Sequence, residues 1–116
     1  MWVEVLKSKI HRATITSLEL HYSGSITIDK LLLKAANLLP NEKVTVVNIN
    51  NGARFETYII EGEAGSGMVQ LNGATARLAL PGDVIIVMCY AIMTPEEAQL
   101  HQPVLVFPDA QNRLEA

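Results

Sequence analysis

The stretch HYSGSITID at residues 21–29 sets a serine hydroxyl, Ser25, directly after the carbonyl of Gly24. A hydroxyl in that position is either part of an ordinary turn or a nucleophile able to attack the peptide bond that precedes it. Attack needs Ser25 to approach the Gly24 carbonyl carbon, and a residue without Cβ lowers the cost of a strained turn there. It also needs a donor for the oxyanion that forms. A second pair, Gly65-Ser66, stands inside EAGSG, so the dipeptide alone does not choose between the readings.

Other segments carry residues fit for binding an anion. In ARFETYII, alternation aligns Arg54, Glu56 and Tyr58 on one face. A guanidinium and a phenol two residues apart can hold a carboxylate and deliver a proton beside it; cross-strand surface packing explains the pattern equally well. In KIHRATIT, period two puts Lys9, His11, Ala13 and Ile15 on one face. Either this is a solvated edge strand, or Lys9 points into a polar pocket toward an anionic substrate. LNGATARL reads as a tight turn whose backbone N–H groups can cradle an anion, or simply reverse the chain.

Other chemistries are disfavoured. His11, His21 and His101 are scattered and Cys89 is alone, so no metal is expected. Cys89 lies in VIIVMCYAI and reads as a buried, inert thiol. EAGSG lacks a Walker lysine, GxGxxG is absent, and there is no nucleophile elbow.

The elements that must position these groups are mostly strands. MWVEVLKSKIHRATIT, SITID, KVTVVNI, ARFETYII, MVQL, DVIIVMCYAI and PVLVF are rich in β-branched residues and divided by Asn-Gly and Pro-Gly turns. Asp29 is placed to cap a helix over KLLLKAANLL, with an apolar stripe of Leu31, Leu32, Ala35, Ala36 and Leu39 and a stop at Pro40. TPEEAQLH reads as a short helix with Thr94 as its cap. Six to eight short strands with two small helices favour a closed barrel over an open sandwich.

At 116 residues the chain is expected to form one domain. Aromatic residues make up only 5%, so the core must be aliphatic. A net charge of −3 argues against a nucleic-acid partner. No apolar run reaches the roughly 20 residues that cross a bilayer, and without a secretory leader the expected location is cytoplasmic.

Taken together, KIHRATIT at 9–16, LHYSGSITID at 20–29, NGARFETY at 51–58, LNGA at 71–74, PGDVIIV at 81–87 and PEEA at 95–98 resemble the small pyruvoyl-dependent aspartate 1-decarboxylases. The resemblance runs over nearly the whole chain. It implies a mainly β fold, a six-stranded double-psi β-barrel with short helices, assembled as a homotetramer. It also implies self-cleavage between Gly24 and Ser25, giving a short chain (1–24) and a chain (25–116) headed by a pyruvoyl group made from Ser25.

That covalent group would be the cofactor, with no metal and no PLP. L-Aspartate would join it as a Schiff base, lose CO2 and leave as β-alanine, for pantothenate and coenzyme A biosynthesis. By likeness, Gly24, Ser25 and Thr57 serve processing, with Thr57 as oxyanion donor, and Ser25 and Tyr58 serve catalysis, with Tyr58 as proton donor. Lys9, Arg54, Thr57, Asn72, Gly73, Ala74 and Thr75 would bind substrate. Thr75 and Lys30 depart from the commoner residues at those positions.

Alternation sends Thr57 and Tyr58 to opposite faces, so either the strand is irregular or adjacent protomers share the site; a shared site is expected. In part of the family a maturation factor assists cleavage. The rival readings are a pyruvoyl decarboxylase of another amino acid, a non-catalytic β-barrel assembly module and, more remotely, a DNA-binding swapped-hairpin barrel.

Overall fold

Runs of β-branched residues between turns produce eight strands in residues 1–115, the part of the chain described by the computed structural model. They are β1 (Val3–Thr14), β2 (Ser17–Glu19), β3 (Ser25–Asp29), β4 (Lys43–Asn48), β5 (Arg54–Gly62), β6 (Val69–Asn72), β7 (Val84–Met93) and β8 (Val104–Val106). Two short helices, α1 (Lys30–Ala35) and α2 (Pro95–Leu100), and a 3-10 helix over Gly73–Leu78 complete the fold. No helix among the described residues is long and apolar enough to cross a membrane.

The strand order is β2-β6-β3-β5-β4-β7-β1-β8. β2 and β8 have three residues each, leaving six longer strands between them. The β1 and β6 sides of this order meet. Just after β1, the Thr16 N–H donates to the Val69 carbonyl at 2.8 Å, and β2 then pairs in parallel with β6. The first strand's own continuation therefore closes the ring, leaving only the three-residue β2 and β8 as edges.

The interior follows from register. Ile10, Val87, Val46 and Phe55 pair successively across β1, β7, β4 and β5. The first three are fully buried, and Phe55 packs against them. Strict alternation, however, places Ala13 and Ile15 with Lys9 and His11, and this is corrected by the structure. A bulge between His11 and Ala13, with Arg12 at φ +71°, reverses the pleat. Ala13 and Ile15 consequently turn into the core.

The first helix also differs from its expected form. It stops at Ala36 rather than running to Pro40, because Asn37 takes a left-handed φ of +56°. The Leu38 N–H reaches the Leu33 carbonyl and the Asn37 N–H reaches that of Lys34, a Schellman ending. The buried face is Leu32, Leu33, Ala36 and Leu38, while Leu31 and Leu39 are exposed. α2 matches its expected capping, with Thr94 and Glu97 forming a capping box.

Asp29 ties β3, α1 and the 63–67 loop together. Its buried carboxylate accepts from Leu31 N (2.8 Å), Gly65 N (3.0 Å) and Gly67 N (2.8 Å). Burial pushes its pKa up, but these three N–H groups and the charge of Arg113 outweigh that and hold it below the usual carboxylate range. A lowered folded pKa gives stability that is complete above the unfolded value of about 3.9 and is lost as pH falls through the folded one. Asp29→Ala strands three N–H groups and is expected to cost about 3 kcal/mol in urea unfolding at neutral pH. The variant should also show a shallower loss of stability below about pH 4 than the parent.

Candidate active site

Ser25 opens β3, between β6 and β5. It pairs antiparallel with Asn72. On the other side, the parallel pair Ile26–Ile59 sets Ser25, one step earlier, alongside Tyr58. Ser25 is fully buried although residues 21–24 before it are exposed. Its Oγ donates to the Ser23 carbonyl at 2.8 Å and accepts from Asn72 Nδ2 at 3.0 Å. Asn72 Nδ2 also donates to Thr27 Oγ1 at 2.9 Å. Thr75 Oγ1 donates to the Asn72 carbonyl at 2.7 Å and lies 3.5 Å from the Ser25 carbonyl.

Gly73 has a left-handed φ of +67°. A Cβ there would lie 2.8 Å from Gly24 Cα, Gly24 N and the Tyr22 carbonyl oxygen. The backbone after Asn72 is therefore pressed against the Gly24 turn. Gly24 itself lacks a left-handed φ, and a Cβ on it would meet nothing within 4 Å. The expectation that Gly24 relieves a strained turn is thus not met in the intact chain; the steric demand falls on Gly73. LNGATARL continues as a 3-10 helix rather than a simple hairpin turn.

The other Gly-Ser pair is an ordinary turn. Ser66 Oγ is exposed, donates to the Glu63 carbonyl at 2.6 Å and accepts from Met68 N at 3.2 Å. Cys89 is buried, as expected. Burial and then the neighbouring Glu42 carboxylate push its thiol up to about 11, and that carboxylate is itself paired with Lys7 at 2.8 Å.

Lys9, Arg54 and Tyr58 lie on the outer surface. Lys9, Met88, Thr45 and Glu56 pair successively across the sheet, as do His11, Ile86, Val47 and Arg54. Paired residues share a face, so Lys9, Arg54 and Tyr58 face outward together. Thr57 faces inward between Phe55 and Ile59, and β5 passes through this region without a bulge. The irregular-strand explanation for Thr57 and Tyr58 is thereby removed.

Arg54 lines a cavity of about 260 Å³ with Glu4, Lys43, Val44, Thr45, Glu56 and Tyr90. Four residues of strand separate Arg54 from Tyr58, about 13 Å. Lys9 stands three strands from Tyr58, about 14 Å. One chain therefore brings Ser25, Gly24, Asn72, Gly73, Thr75 and Tyr58 together, and holds Lys9 and Arg54 apart from them. Ala74, beside Gly73, is exposed.

Sequence reasoning passed over Ser17, Thr27 and Gln70. Ser17 Oγ donates to Gln70 Oε1 and Gln70 Nε2 to Asn72 Oδ1, each at 2.7 Å. These contacts cross the β2–β6–β3 pairing, so no spacing along the chain signals them.

The family model for aspartate decarboxylase matches residues 1–115. The chain belongs to the aspartate decarboxylase family. It is 65% identical over 115 residues to an aspartate 1-decarboxylase of Parabacteroides distasonis, covering 98% of this chain and 99% of that one. It is 59% identical over 114 residues to that of Cytophaga hutchinsonii, again covering 98% and 99%. A crystal structure of a rationally designed double-psi β-barrel protein aligns with a TM-score of 0.50 at 14% identity, covering 66% of this chain and 90% of that one. The fold is a mainly β double-psi barrel, closed here through Thr16 and Val69.

Within this family member, Gly73→Ala tests the close approach. A left-handed alanine costs at least about 1 kcal/mol before any overlap. The variant should melt at a lower temperature than the parent and be cut faster than the parent by added protease at residues 21–23.

Proposed function

We propose that this protein is an aspartate 1-decarboxylase that converts L-aspartate to β-alanine and CO2, using a pyruvoyl group made from its own Ser25. The observation that carries this reading is the buried Ser25 Oγ, held 3.0 Å from Asn72 Nδ2 beside a Gly73 backbone that leaves no room for a Cβ. The names carried by its 59–65% identical relatives support the substrate.

Processing starts from Ser25 Oγ, which attacks the Gly24 carbonyl carbon and turns the amide into an ester. Loss of the Ser25 Cα proton and cleavage of the Cβ–Oγ bond release the Gly24 carboxylate and leave dehydroalanine. Hydrolysis then expels ammonia and leaves a ketone. Likeness to the family makes Thr57 the oxyanion donor, acting from the inner side of β5.

The residues around Ser25 fit the product. The Ser25 main-chain carbonyl, which a pyruvoyl group keeps, lies 3.5 Å from Thr75 Oγ1, while Asn72 Nδ2 faces the Oγ that leaves with Gly24. When present, the pyruvoyl group supplies the electrophilic carbonyl and electron sink that standard side chains lack.

The chain's own residues bind and orient. Arg54 and Lys9 hold substrate carboxylate, with the Arg54 fork suited to two oxygens. The backbone of Asn72, Gly73 and Ala74, with Thr75, positions the substrate. Tyr58, beside Ser25 in register, delivers the proton to Cα. Because Arg54 and Lys9 stand apart from Ser25 within one chain, the complete site draws them from a neighbouring protomer of a homotetramer. Exposed apolar residues such as Trp2, Leu80, Ile92 and Phe107 supply surface for that assembly.

Intact mass under denaturing conditions should show two pieces split after Gly24, the larger one lighter by one ammonia than hydrolysis alone would leave it. Ser25→Ala should remain whole and inactive; decarboxylation by that variant sinks the reading. For the shared site, Ser25→Ala and Arg54→Ala, each inactive alone, should regain activity when co-assembled. Roughly a quarter of the sites in a random one-to-one mixture would draw an intact serine and an intact arginine from different subunits. No recovery places both residues in one protomer.

A further inference from the structure

Resting on that self-cleavage reading, we infer that Gln70 is a positioning residue for cleavage, through a hydrogen-bond chain Ser17–Gln70–Asn72 that holds the amide N–H₂ of Asn72 on Ser25 Oγ.

The polarity of the chain is set at the serine. The Ser25 hydroxyl gives its proton to the Ser23 carbonyl, which accepts only, so Oγ is left as an acceptor toward Asn72. Asn72 must then present Nδ2 to Ser25 and Thr27, and its Oδ1 must find a donor on the other side. Gln70 Nε2 is that donor, and Gln70 Oε1 in turn accepts from Ser17. Thr27 cannot fix the direction, because a hydroxyl pairs with either end of an amide. Gln70 makes inversion of Asn72 alone unfavourable, since that would set two N–H₂ groups against each other; Asn72 can invert only if Gln70 turns with it and both give up their present partners.

The orientation matters in the elimination step. The Cβ–Oγ bond breaks with its electron pair going to Oγ, which becomes an oxygen of the Gly24 carboxylate, while the Cα proton goes to solvent. An N–H aimed at Oγ stabilises the charge developing there. A carbonyl oxygen in the same place repels it.

Gln70→Glu separates this role from simple packing. An ionised glutamate only accepts, so it attracts the Asn72 N–H₂ and turns Oδ1 toward Ser25. A protonated one donates, and restores the parent arrangement. Freshly translated precursor is followed by denaturing gel and intact mass, and the rate is expressed as a ratio to the parent chain at the same pH. The ratio should be about one tenth near pH 8, the loss of about one hydrogen bond. It should rise severalfold on going to about pH 5, toward protonation of the glutamate. Gln70→Leu, a neutral chain of similar bulk, should cut about tenfold slowly with a ratio that does not change with pH.

A Gln70→Glu ratio near one at both pH values, or a low ratio that stays as flat as that of Gln70→Leu, overturns the inference while leaving self-cleavage intact. A parent chain that never cuts removes both.

Discussion

The site depends on one pairing, the antiparallel register of β3 on β6 that sets Ser25 opposite Asn72. That register is enforced by apolar burial. The next pair along is Ile26 with Leu71, both fully buried. Because side chains alternate, a slip of one residue would bring Ile26 out of the core and Ser25 into it. The aliphatic interior thus fixes a polar contact that is itself worth only about 1 kcal/mol. The same ladder carries Gly73 against Gly24, since Gly73 follows directly on the paired Asn72.

Much of this architecture is legible in the sequence, for reasons that differ from element to element. Strands declare themselves by β-branched content, and Thr94 and Asp29 declare helix starts because short oxygen side chains satisfy free N–H groups. The outward alignment of Arg54, Glu56 and Tyr58 follows from period two on an unbroken strand. Alternation fails at Arg12, where a bulge held by a left-handed residue reverses the faces, and no residue type there announces it. The expected helix length fails at Asn37, whose left-handed φ ends the helix three residues before the proline. Gly73 stands out as part of an Asn-Gly turn, but its real constraint is the approach of a segment about fifty positions away. Gln70 is silent for the same reason: its meaning arises from three strands side by side.

The outer surface is the basis for proposing a site shared between protomers. Lys9, Arg54 and Tyr58 share a face yet belong to different rows of the sheet, spaced by fixed strand geometry. A side chain spans part of such a gap, and a small diacid another part, but neither is long enough to bridge the distances to both cations. In the proposed shared site, a second protomer laid over this face would shorten them without altering the barrel. Glu56 beside Lys43, at 3.5 Å and both exposed, shows that the face also keeps its own charges paired loosely enough to be rearranged.

Burial around the Gly24–Ser25 bond is uneven, and the proposed self-cleavage would require that. Gly24 and the three residues before it are exposed, while Ser25 and the rest of β3 are closed off. The nucleophile therefore sits in a dry setting where hydrogen bonds from Asn72 are strong and few competing waters reach Oγ. The Gly24 side opens to solvent, which in the proposed reaction would enter to hydrolyse dehydroalanine and carry ammonia away. A bond buried on both sides would protect the serine but starve hydrolysis, and one exposed on both sides would let water displace Asn72. The edge of the barrel, where a buried strand begins directly after an exposed turn, meets both demands at a single peptide bond.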